Sequence, residues 1–128
     1  AKTRFNQLQG NSRLIWTISQ QIQWASQIIS MSSGGITFVY RDLSTGVPTT
    51  VNYFHNSQEI YLSVNGSPAE VYAPDIHQFL LSSDEVKKED GKYYVRGINL
   101  TIQAGPDESG TLHRYVALLN TPLNHEDD

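Results

Sequence analysis

The sequence predicts an α+β domain, one long N-terminal helix packed on antiparallel β-sheet. Three observations predict it. Between Phe5 and Met31 the apolar residues Leu8, Leu14, Ile15, Ile18, Ile22, Ala25 and Ile29 recur at three- and four-residue intervals. At roughly 100° per residue they fall within an arc of about 120°, one stripe of an amphipathic helix. From Ile36 to Asn120 the pattern changes to short runs of β-branched and aromatic residues bounded by Gly, Pro, Asn and Asp, the mark of strands and turns. No helix-length pattern separates those runs, which disfavours a parallel sheet built on crossovers. A helix over 5–31 would be about 40 Å long and needs a covering layer, which the β-region must supply.

Composition bounds the rest. The 128 residues make a single domain, divided as helix 1–32, β-region 36–120 and a flexible acidic tail 121–128. Charged residues are 17% of the chain, so Ser, Thr, Asn and Gln carry much of the polar surface, a composition common in extracytoplasmic bacterial proteins. The net charge is −4 and no block of Lys or Arg occurs, so phosphate neutralisation recruits neither nucleic acid nor anionic lipid. Cysteine is absent, which excludes a disulfide scaffold, thiolate metal sites and a cysteine nucleophile. The chain shows no signal peptide, no run of about 18 apolar residues and no N-cap before Phe5. Such a start is what a cut through a longer helix would leave.

Each element follows from local chemistry. The helix carries Trp16 and Trp24 about 140° from the stripe centre, one on each side, with Phe5 near Trp16. Sheet edges or loops covering these rings is the simpler expectation; the sharper one is a contact with a neighbouring subunit. Ser32-Ser33-Gly34-Gly35 ends the helix, glycine supplying the left-handed cap. Strands are expected over 36–41, 49–55, 58–64, 69–73, 76–83, 95–104 and 112–120. Asn65-Gly66 is the clearest hairpin turn, since a type I′ turn needs positive φ at both positions. The run 69–73, framed by Pro68 and Pro74, suits a sheet edge. The charged stretch 84–92 reads as a solvated turn or short helix.

Several of these pieces together resemble a known family. The early helix, then Gly35-Ile36-Thr37-Phe38-Val39-Tyr40, then Val51-Asn52-Tyr53 and Ile60-Tyr61-Leu62-Ser63-Val64-Asn65-Gly66, resembles the soluble part of type IV pilin-like proteins. The match is nearest to minor pilins and to the J-type minor pseudopilin of type II secretion. Leu8-Gln9-Gly10-Asn11-Ser12-Arg13-Leu14 and Tyr115-Val116-Ala117-Leu118-Leu119-Asn120 look like theirs too, with Leu119 where many relatives have Arg. The resemblance implies a pilin-like fold whose N-terminal transmembrane half-helix is missing here. It implies a non-enzymatic subunit that starts or tips a fibre, with other pilin or pseudopilin subunits as partners. It also implies an inner-membrane anchor before assembly and a periplasmic or surface-exposed domain.

No catalytic, cofactor or metal site is expected. His55, His77, His113 and His125 are scattered, without metal-ligand spacing. Asp107-Glu108-Ser109-Gly110 lacks the ligand spacing of an EF-hand and reads as a solvated loop. There is no G-x-S-x-G elbow, and the adjacent acids Asp84-Glu85, Glu89-Asp90 and Asp107-Glu108 splay rather than face one another. Asn99-Leu100-Thr101 fits a glycosylation acceptor but sits in a strand. The seven tyrosines suit half-buried strand surfaces. The candidate interface is Phe5, Trp16 and Trp24. A different class of function, a free-standing ligand- or carbohydrate-binding β-domain, would require a concave, tyrosine-lined pocket on the sheet face away from the helix.

Overall fold

Two runs of hairpins build the molecule, and one helix joins their common core. The structure, a computed structural model, describes residues 2–41, 44–87 and 90–122, with side chains except at 2–11, 87 and 119–121. The helix α1 (Lys2–Gln23) comes first. Next, β1 (Ala25–Ser32), β2 (Gly35–Arg41), β3 (Pro48–Asn56), β4 (Glu59–Val64) and β5 (Glu70–Ala73) form a five-stranded meander in chain order. Finally, β6 (Ile76–Lys87), β7 (Tyr93–Ala104) and β8 (Thr111–Pro122) form a three-stranded meander, with a 3₁₀ turn (Glu108–Gly110) between the last two. Every strand pair is antiparallel.

The expected α+β architecture, a long pilin-like helix packed on a sheet, is overturned. Strand accounts for 64% of the fully described residues, in two antiparallel sheets. The helix stops at Gln23, and only its last 12 residues have described side chains. The boundary expected at 32 therefore falls at 23, and the last expected turns of the helix are β1.

The physical reason lies in β1 itself. Its register against β2 shifts between Ala25 and Gln27 and again between Ile28 and Ser30. A bulge places an extra residue in a strand and so breaks the two-residue alternation of faces. Ala25 and Ile28, three apart, both turn into the core, while Ile29 is half-buried. Bulged strand spacing thus mimics helical spacing. Ser and β-branched Ile are weak helix formers, and the Ser33-Gly34 turn gives these peptides a ladder from Ala25–Tyr40 to Ser32–Gly35.

Ile15, Ile18 and Ile22 of α1 enter a single apolar cluster with both sheets, and Leu14 packs at its margin. The Leu8 side chain lies outside the described residues. The helix packs chiefly on β7 and β8 and reaches β2. Turns of the larger sheet lock the smaller one in place. Ile76 N donates to Gln58 O at 2.8 Å and Leu81 N donates to Ser33 O at 3.0 Å, so two donors on β6 are satisfied from outside its own sheet.

Other expectations meet mixed outcomes. Asn65 and Gly66 have φ of 52° and 76°, as the hairpin chemistry requires, and β5 is an edge strand. The charged stretch from Asp84 is no loop at first: β6 continues to Lys87. Asp84 pairs opposite Gly97 and binds Arg96 at 3.0 Å, so the charges lie along a ladder with a partner. Of the tail expected over 121–128, residues 121 and 122 belong to β8, and 123–128 lie outside the described residues.

Candidate functional site

The outward side of α1 is the feature that the sequence singled out. Its inward side is fixed by Ile18 and Ile22, both at 0% exposure. One polar hook sets its rotation: the Tyr53 hydroxyl, from the floor of the core, donates to Gln21 Oε1 at 2.5 Å. Ser19, also buried, donates to the Ile15 carbonyl one turn back, which satisfies its hydroxyl without a second element. The helix closes at Trp24, whose N–H donates to Gln21 O at 3.2 Å.

With that rotation set, Trp16 and Trp24 turn to solvent at 54% and 55% exposure. No sheet edge or loop covers them among the described residues. They are two turns apart, about 12 Å along the axis. Covering half of one indole removes on the order of 100 Å² from water, worth about 2.5 kcal/mol at ~25 cal/mol per Å². Phe5, the third candidate, lies outside the described side chains. Arg13, also exposed, lies one turn before Trp16 on the same helix, so the outward face carries a base beside its rings.

The remaining candidate groups are engaged locally and apart from one another. His55 Nε2 lies 2.7 Å from Ile76 O, His77 Nε2 lies 3.4 Å from Asp75 Oδ1, and His113 Nδ1 lies 2.9 Å from Thr101 Oγ1. His125 is outside the described residues. Among the described residues no three His, Asp or Glu side chains gather as metal ligands do. Asp107 caps the 3₁₀ turn by accepting from Ser109 N at 2.9 Å. Asp90 accepts from Lys92 N at 2.9 Å and from the Tyr94 hydroxyl at 3.0 Å.

Two features escaped the sequence. On the outer face of the smaller sheet the Tyr115 ring covers Gly97 so closely that a Cβ there would meet its hydroxyl at 2.1 Å. That hydroxyl donates to Asp84 Oδ2 at 3.2 Å. The Arg96 guanidinium beside Asp84, helped by Tyr115, holds its carboxyl below the ordinary range. A glycine inside an alternating strand was the available signal, since it marks a close approach. The second is a cleft of about 270 Å³ between the ends of β4 and β5, lined by Leu62, Val64, Ser67, Pro68, Glu70, Val71 and Tyr72. Nothing in the alternation of β4 announced it.

Three tyrosines meet at the core rather than on an open surface, Tyr53 packing edge-on against Tyr72 at 5.4 Å with Tyr40 near it. Tyr40 and Tyr72 pack at the core margin, Tyr53 is fully buried, Tyr61 stacks on Phe54 at 5.2 Å, and Tyr115 sits on the opposite sheet. No family model, curated protein or solved structure matches the chain. Among the described residues no helix is long and apolar enough to cross a membrane.

Proposed function

We propose that the chain is a non-enzymatic structural subunit of a type IV pilus or a type II secretion pseudopilus. In this reading it is a minor pilin or pseudopilin that helps start or tip the fibre, working in the cell envelope with other subunits of its kind. The observation that carries it is the two-sided helix. One face is sunk in the β-core through Ile15, Ile18 and Ile22, and the other offers Trp16 and Trp24 to solvent. Large exposed rings on a rigid element are the usual anchors of protein contacts. Of the segments that resemble the family, three fall on β2, on β3 and on β4 with its turn, one on α1 and one on β8.

The test is a Trp16→Glu, Trp24→Glu double variant in the bacterium that carries the gene. Both side chains are exposed, so thermal melting should stay within a few degrees of wild type, while fibre formation or secretion should be lost. Normal assembly by a stably folded double variant would end the proposal. An independent check is the coding sequence upstream of Ala1, where a short basic leader followed by about twenty apolar residues is expected.

The carbohydrate-binding alternative gains little. It needs a tyrosine-lined concavity, and the cleft beside β5 is lined by a single tyrosine, Tyr72.

A further inference from the structure

The edge of the larger sheet at β5 combines three features. The first is an open backbone. Among the described residues β5 pairs only with β4, so its far side presents free donors and acceptors to an incoming strand. The second is the cleft of about 270 Å³, walled by Leu62, Val64, Val71 and Tyr72. A register shift at Ile60/Tyr61 turns consecutive residues Tyr72 and Ala73 both inward. The Tyr72 ring then packs edge-on against Tyr53 at 5.4 Å, which makes a fixed back wall. Val64 and Val71 remain exposed at 37% and 50%, so the apolar lining is wet. The third is Glu70. It is the charged residue of the cleft, and among the described residues its carboxylate has no hydrogen-bond or ion-pair partner.

We propose that β5 takes an extended segment of a partner chain as an added strand, with one apolar side chain in the cleft and a Lys or Arg facing Glu70. Glu70 pairs opposite Leu62 and so lies on the same face as the cleft. Residues on one face of a strand are two apart, so the recognised pattern is an apolar residue, any residue, then a basic one. Pro68 and Pro74 bracket the strand, so the added strand is short and main-chain bonds alone cannot supply the affinity. The apolar side chain and the charge pair must contribute, as in other strand-addition sites. The inference does not depend on which assembly the chain serves.

The probe is a five-residue blocked peptide, acetyl-Thr-Leu-Thr-Lys-Thr-amide, titrated into the ¹⁵N-labelled chain by NMR. Shift changes should be confined to residues 62–73 and should saturate. Replacing the peptide Lys by Glu, or Glu70→Gln in the protein, should weaken binding about fivefold, the scale of one solvent-facing ion pair. Methylating alternate peptide nitrogens should weaken it comparably if main-chain pairing is present. Glu70 is exposed, so the Glu70→Gln spectrum should match wild type away from the cleft. Shifts elsewhere, no shifts at all, or indifference to the Lys→Glu swap or to N-methylation would each overturn the proposal.

Discussion

The larger sheet sets a group of packed rings among the aliphatic side chains it sends to the shared core, whereas the smaller sheet sends branched aliphatics with Phe79 as the one buried ring among its described residues. From β2, β3 and β5 come Phe38, Tyr53 and Tyr72, with Phe38 and Tyr53 stacked at 6.3 Å and Tyr53 edge-on to Tyr72 at 5.4 Å. From β7 come Val95, Ile98, Leu100 and Ile102, each at 0% exposure. The larger sheet is built of strands of 4 to 9 residues, the smaller of strands of 12 residues each. Short strands leave few ladder bonds, so directional contacts must add definition: ring geometry, the Tyr53–Gln21 bond and tight turns. Long strands carry their own ladder, and their core side needs only volume. Each half is therefore vulnerable in its own way. The aliphatic half should fail by loss of volume, the aromatic half by loss of a polar partner.

The largest test strikes volume. Leu100→Ala at the centre of β7 should cost about 3–4 kcal/mol, transfer and cavity terms together. Urea unfolding would show it as a lower midpoint at unchanged slope. Tyr53→Phe keeps the ring and removes only the hydroxyl, leaving Gln21 Oε1 without its donor, and should cost about 1–2 kcal/mol. A Tyr53→Phe loss as large as that of Leu100→Ala would erase the contrast.

The same hydroxyl gives the contrast a pH dependence. Burial, aided by neighbouring Tyr72, pushes Tyr53 far above its ordinary 10.0. Above that pH the unfolded chain loses the proton while the folded one keeps it. Stability is therefore complete below the ordinary value and falls as pH climbs beyond it, by up to about 1.4 kcal/mol per unit from this group. Tyr53→Phe should flatten that decline in an alkaline titration followed by circular dichroism. An equally steep decline in the variant would assign the effect to other groups.

Legibility divides along the same line. The strands β2, β3, β4 and β7 were visible because each holds a run of alternating apolar residues, as in Ile98, Leu100 and Ile102, long enough in β7 to outweigh the shift that sets Val95 and Ile98 three apart. The stripe Ile15, Ile18 and Ile22 was visible because nothing breaks its period. What failed was β1, whose bulges set Ala25 and Ile28 three apart and so carry a helix-like signature in a strand. Bulges are decided by the partner strand, which a local window does not contain. The exposure of Trp16 and Trp24 depends on how far the sheets wrap, again a tertiary matter. The cleft beside β5 depends on another register shift, invisible for the same reason.

The smallest expected effect concerns the turns that define the aromatic sheet. The β4–β5 connection opens with Asn65-Gly66, the pair that a turn with two positive φ values prefers. The β3–β4 turn holds Ser57 and Gln58 at φ of 51° and 61°, positions where a side chain other than Gly or Asn is strained by roughly 1 kcal/mol or more. The strain is tolerated because the Gln58 carbonyl receives Ile76 N at 2.8 Å and so ties the two sheets together. That bond uses backbone only and survives substitution. A Ser57→Asn, Gln58→Gly variant should therefore gain stability. Glycine's greater freedom in the unfolded chain takes back part of the relief, which leaves a gain of about 0.5–1 kcal/mol. It would appear as a melting temperature raised by a few degrees. A matching gain from the same pair placed at Ser33-Gly34, where no positive φ is found among the non-glycine residues, would mean that turn strain is not its source.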